Sequence, residues 1–249
     1  MTAARASVSR HRHFPLFPKR LFIEQAQFGL LCWALFSLVM LVIPIGVSWF
    51  RPIDSSGWSI VQQVLNWYVL VIGVHLGWSG FAQYVTHGQS RRTYLQSAGV
   101  FILAFALLAA VLSAVTFLPE ALIYATAGWP QNVHEGQLYD NVLNVPMVVI
   151  QHWLTYVLWM SAGLALGIGW YRGTLTGSIA ILLSLAMGGL GNLSMCRTEG
   201  PLGFIVREGF LPQEPQLWLA LLVHLGGAAV LFAFSLRVGR DVAIHKKEA

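Results

Sequence analysis

Serine and histidine are the residues here whose types and spacing invite a chemical reading. Gly77-Trp78-Ser79-Gly80 has the Gly-x-Ser-Gly form that presents a nucleophilic serine, and His224 could serve as its base. Their places along the chain argue against the pair. Ser79 falls near the end of one apolar tract, while His224 lies about 8 residues past the start of another that crosses in the same direction, so the two sit at different depths. A nucleophile and its base must approach within about 3 Å. The histidines His75, His152 and His224 suggest a second chemistry, because two imidazoles at similar depth on adjacent helices can ligate a haem iron. Interhelical hydrogen bonding is the simpler account of them. No Gly-x-x-x-x-Gly-Lys-Ser/Thr loop occurs, so the chain lacks the amide nest and lysine that hold nucleotide phosphates.

The elements that must position these residues are apolar and long. Asp, Glu, Lys and Arg are absent from 25–50, 55–90, 93–119, 141–171, 173–196 and 215–236. Each tract supplies the roughly 20 apolar residues with which an α-helix crosses hydrocarbon. Barrel strands would alternate over about 10 residues, whereas 30–45 and 100–118 are apolar all round. The reading is an all-α membrane protein of six spans, at Phe28–Phe50, Trp58–Val85, Ala98–Leu118, Val145–Tyr171, Thr176–Met195 and Gln216–Leu236. Ahead of them, 1–27 is expected as a cytoplasmic segment whose Phe14–Gln27 part forms a short interfacial helix. Residues 28–236 form the membrane domain, and 237–249 form a cytoplasmic tail.

Orientation follows from the basic residues. With the N-terminus inside, twelve of the 15 Lys and Arg lie in cytoplasmic segments, leaving Arg51, Arg197 and Arg207 outside. Both termini are therefore expected in the cytoplasm. The basic balance is spread among membrane edges and forms no groove-lining patch, so nucleic acid is not an expected partner. Trp33, Trp49, Trp58, Trp129, Trp170 and Trp218 fall near span ends, as interfacial anchors do. Cys32 and Cys196 are expected as free thiols. The spans carry no ionisable group besides histidine, which disfavours an ion-coupled carrier. On the second span, Gln62, Asn66, Gly73 and Gly77 make a polar and small stripe at helical spacing. It faces other helices or a cavity, so both packing and lining of a translocation path stand open.

Between the second and third spans runs Thr86-His87-Gly88-Gln89-Ser90-Arg91-Arg92-Thr93-Tyr94. Glycine can end one helix, serine can cap the next, and the arginines project into cytosol. This segment resembles the "hydroxyl or Ala, x, Gly, x, Ser/Thr, Arg, Arg, x, aromatic" turn of permease subunits of ATP-binding-cassette type-2 exporters. The glycine-rich end of the fourth span, Gly163 to Gly173 with Tyr171 and Arg172, resembles theirs as well. The resemblance implies a subunit that is not itself an enzyme and binds no cofactor. ATP and Mg would act on a separate ATPase, docked on a coupling turn of His87, Gly88, Ser90, Arg91, Arg92, Tyr94 and Arg172. It further implies a second permease copy, a bacterial cytoplasmic membrane, and export of a hydrophobic or amphiphilic compound. An outer loop at 197–215 would partly close the path, although Pro201, Pro212 and Pro215 depart from a helical re-entrant pattern. A non-transporting membrane scaffold or sensor and the haem protein are the alternatives.

Overall fold

In lipid, apolar side chains gain little from facing each other, so helices associate where small residues let backbones touch. Two Gly-x-x-x-Gly pairs meet this requirement, Gly73 with Gly77 and Gly163 with Gly167. In the computed structural model they pack face to face. A Cβ placed on Gly77 or Gly167 would sit 2.5 Å from the carbonyl oxygen of Leu164 or Val74 respectively. On Gly73 or Gly163 it would lie closer still to the oxygens of Met160 and Leu70.

The structure describes residues 18–53, 56–132, 136–197, 205–206, 208 and 214–241. Its elements are α1 (Lys19–Val47), α2 (Gly57–His75), a π-helical turn (Leu76–Gly80), α3 (Phe81–Thr86), α4 (Arg91–Ala127), α5 (Val145–Arg172), α6 (Thr174–Ser194) and α7 (Leu217–Arg240). Six helical segments, with 62–86 counted as one, are long and apolar enough to cross a membrane. No strand occurs among the described residues. We call the end that holds the 87–90 and 173 connections the turn end, and the opposite one the loop end.

At the centre stands α5, buried over most of its length, with α2, α4, α6 and α7 packed around it. Its core neighbours include Leu76, Phe101, Ile102 and Leu231. By contrast, α1 touches the body lightly and turns Leu31, Leu35, Leu38 and Val42 outward. The two helices α5 and α6 are joined by Gly173 alone, at φ +153° and ψ 170°, a region open essentially to glycine.

Four expectations change in the folded chain. Lys19 to Gln27 form no separate helix, because nothing between Arg20 and Phe28 breaks the run, and the domain boundary at 27 falls inside α1. Residues 14–17 lie outside the described ones. The helix of the expected third span does not stop at Leu118, since Pro119 removes only one backbone hydrogen bond and α4 continues to Ala127. The boundary at 236 likewise falls inside α7, which ends at Arg240. Trp58 is no interfacial anchor but is 2% exposed, packed at 5.9 Å from the Phe36 ring. Trp49 and Trp218 do face outward. Cys32 and Cys196 form no disulfide.

Extension of α4 has a structural consequence. Glu120, which composition places in an outer loop, is buried and accepts from Ser56 Oγ (2.7 Å), the Trp58 N–H (3.0 Å) and Gln131 Nε2 (2.9 Å). Its charge thereby caps the N-terminus of α2, where first-turn amides have no partner of their own and the helix dipole favours an anion. The Tyr124 hydroxyl accepts from the Gly57 N–H at 3.1 Å beside it.

Three stability outcomes follow. Gly163→Ala forces α2 off α5 and should cost about 3 kcal/mol, the upper end for overpacking. Gly226→Ala, with nothing within 4 Å of the new methyl, should be neutral or stabilise by about 0.5–1 kcal/mol. Thermal unfolding in detergent, followed by helical circular dichroism, compares them. Glu120→Ala takes the acceptor from three buried or half-buried donors and should cost roughly 3 kcal/mol, with faster proteolytic cleavage in the 48–56 connection.

Candidate functional site

The turn between α3 and α4 is short and built from local hydrogen bonds. His87 Nδ1–H donates to the Gln83 carbonyl (2.6 Å), and Gly88 takes φ +92° to reverse the chain. Ser90 caps α4, its hydroxyl accepting from the Thr93 N–H at 3.1 Å. His87, Gly88, Ser90 and Arg92 are exposed, as is Arg172 at the end of α5. Arg91 and Tyr94 turn inward instead. Arg91 Nη1 donates to the Arg240 carbonyl at 2.6 Å and so closes the C-terminus of α7. Tyr94 is 3% exposed, its hydroxyl donating to the Leu76 carbonyl at 2.7 Å.

That Tyr94 contact explains the serine motif. In the π-helical turn the Phe81 N–H reaches back to the Leu76 oxygen, and Tyr94 takes the second lone pair of the same oxygen. Gly80 makes the approach possible, because a Cβ there would meet the Tyr94 hydroxyl at 2.5 Å. The Tyr94 ring packs against Phe81 (5.8 Å) and Tyr84 (5.4 Å), and Tyr171 meets Phe81 and Trp78. Gly77 belongs to the α5 contact and Gly80 to Tyr94, while Ser79 lies exposed on the outer face. Ser79 and His224 sit on elements that make no sustained contact. His224 faces α6, with Nδ1 donating to the Ala220 carbonyl (2.9 Å) and lying 3.5 Å from Ser194 Oγ. With its Nδ1 proton held by a carbonyl, it cannot accept the Ser194 proton at that nitrogen.

The stripe on α2 divides. Gly73 and Gly77 are consumed by the α5 backbone and line no path within this chain. Gln62 and Asn66 are buried, Gln62 Nε2 donating to the Tyr139 hydroxyl (3.4 Å) and Asn66 Nδ2 to Gln63 Oε1 (3.4 Å). Tyr139 lies in the 128–144 connection, where burial pushes its phenol up to about 12 and keeps it a neutral hydroxyl. On the opposite side of α2 and its π-turn, Gln63, Trp67, His75, Trp78 and Ser79 are exposed. This outward face carries an amide, an imidazole and a hydroxyl where α1 presents only aliphatic side chains. Hydrocarbon does not reward such groups, whereas a partner helix or a wet cavity does.

His152 is enclosed by Phe117, Tyr139 and Tyr156, with Nδ1–H donating to the Val148 carbonyl at 2.7 Å. His152, His224 and the outward His75 therefore face three different surroundings, and no group of three or more metal-binding side chains occurs among the described residues. Most of the expected closing loop at 197–215 lies outside the described residues. Sequence reasoning missed the Glu120 cap, the Arg91 closure of α7 and the Tyr94 clasp. Only the paired Gly-x-x-x-Gly spacing carried a readable signal for the α2–α5 contact.

Comparison with protein-family models, with curated proteins and with solved structures found no match to this chain.

Proposed function

We propose that this chain is the membrane-spanning subunit of an ATP-driven exporter, paired with a second permease copy and with ATPase chains that bind ATP and Mg. The turn end faces the cytosol of a bacterial cell, and the compound moved outward is hydrophobic or amphiphilic. The observation that carries this reading is the linkage from the 87–90 turn to α2. The exposed turn leads directly into the helical turn that holds Tyr94, and Tyr94 is bonded to the π-helical segment of α2. The span so gripped is the one whose outward face bears Gln63, His75 and Ser79. A displacement of the turn by a partner is delivered to the helix best suited to line a weakly polar path between two copies. Alternating exposure needs such a two-position element, and the π-helical turn supplies a place where the α2 hydrogen-bond register can change.

Within the coupling set, the roles separate by exposure. His87, Gly88, Ser90, Arg92 and Arg172 form the docking surface, whereas Arg91 and Tyr94 transmit inside the chain. His87→Glu with Arg172→Glu should lower co-purification of the ATPase partner about tenfold while leaving thermal unfolding unchanged. Tyr94→Phe should leave that partner bound but reduce substrate efflux from vesicles several-fold, at a stability cost of about 1 kcal/mol for one hydrogen bond. Partner binding and efflux unaltered by all three substitutions would exclude the exporter reading in favour of a membrane scaffold.

A further inference from the structure

We propose that the groove between α4 and α7 binds an anionic phospholipid, with the phosphate at Arg92 and Arg240 and one acyl chain lying along the groove over α5. This requires that the six helices span a bilayer and does not rest on the exporter reading. The groove has a volume of about 490 Å³ and opens to the side of the bundle. Its walls include Gly99 and Leu103 of α4 and Ala229 and Phe232 of α7, and Val157 and Ser161 of α5 form its floor. The two walls are joined at the turn end, where Arg91 holds the Arg240 carbonyl and Leu95 meets Gly239, and again about 12 Å deeper, where the Phe232 ring lies over Gly99.

The chemistry of the walls is ordered by depth. Arg92, Gln96, Gly99 and Leu103 share one face of α4 by their helical spacing. Leu225, Ala229, Leu236 and Arg240 do the same on α7. Arg92 and Arg240 are exposed at the end of this face, and the exposed Gln96 lies one turn deeper on the groove wall. Beyond it the lining is almost wholly apolar. From Arg92 to Leu103 the helix rises about 16 Å at roughly 1.5 Å per residue, half of a hydrocarbon core of about 30 Å. Guanidinium, amide and hydrocarbon thus succeed one another as phosphate, ester and acyl chain do in a single leaflet. Arg237 adds a third exposed cation at this edge, and Asp241 beside Arg240 leaves it net positive. A second copy seated here by two-fold symmetry would bring these like charges together.

The test uses the full chain in nanodiscs of equal phosphatidylglycerol and phosphatidylcholine, with lipids retained after detergent extraction counted by native mass spectrometry. Two arginines at an anionic surface, at about 1 kcal/mol each, imply a preference for phosphatidylglycerol of about thirtyfold. Arg92→Gln with Arg240→Gln should bring the two lipids near parity, and it keeps the Arg240 carbonyl that Arg91 needs. Ala229→Trp, with every arginine intact, should lower retention by filling the groove. Phosphatidylglycerol with a photoreactive acyl chain should cross-link to 96–103 and 225–232. Equal retention by the unaltered protein, a preference that survives the double substitution, or cross-links elsewhere would overturn the site. So would Ala229→Trp splitting a dimer without changing lipid retention, which would assign the groove to a second copy.

Discussion

Contact between the backbones of α2 and α5 is the constraint on which the remaining architecture depends. Two helices with ordinary side chains would stand 8–10 Å apart; four glycines remove that spacing along two successive turns. The gain is dispersion and close dipole contact, which lipid cannot replace, unlike the mutual burial of leucines. Once α2 is seated, α5 has one face occupied, and α4, α6 and α7 take the others. The hub helix is accordingly lined by residues such as Tyr156, Met160, Leu164 and Ile168, each at 0% exposure, although every one of them lies on a single continuous helix.

Polar contacts then secure α2 at both ends, and they differ in kind. At the loop end a carboxylate satisfies an amide that no residue within the helix can reach, so the bond sets where α2 begins. At the turn end a phenol shares a carbonyl with a π-register amide, so the bond sets how α2 is wound rather than where it stops. A π turn is one residue away from ordinary α geometry. Its oxygen acceptor is claimed by the helix that leaves the 87–90 turn, which makes winding and turn position one variable. Among the described residues, the lightly held α1 makes no comparable buried polar tie to the hub.

How much of this could be read beforehand depended on whether the cause was local. Charge-free tracts of sufficient length announce six spans because hydrocarbon imposes that rule residue by residue. Gly88 and Ser90 announced the turn for the same reason, since each acts on its immediate neighbours. Glu120 could not be placed: its partners, Ser56 and Trp58, are distant in sequence, and only the folded chain turns an apparent loop acid into a helix cap. The α2 stripe shows a subtler limit. Periodicity groups Gln62 with Gly73 and Gly77 and turns them toward other helices or a cavity, but does not say which of the two. The structure sends that stripe inward and leaves Gln63, His75 and Ser79 outside.

Arg91 and Arg92 make the same point with charge. As neighbours of one type they count equally in any statement about orientation, yet a helix turns successive residues about 100° apart. That rotation aims Arg91 at the last carbonyl of α7, where a cation meets both an unpaired acceptor and the negative end of a helix dipole. Arg92 stays exposed at the same edge. The tie between Arg91 and Arg240 joins helices that are far apart in the chain, and it leaves the neighbouring cations exposed along a single membrane edge. One arginine of the pair therefore builds the edge that the other presents. A charge that biases insertion during synthesis is afterwards available as a structural bond or as a binding group, and position on the helix decides which.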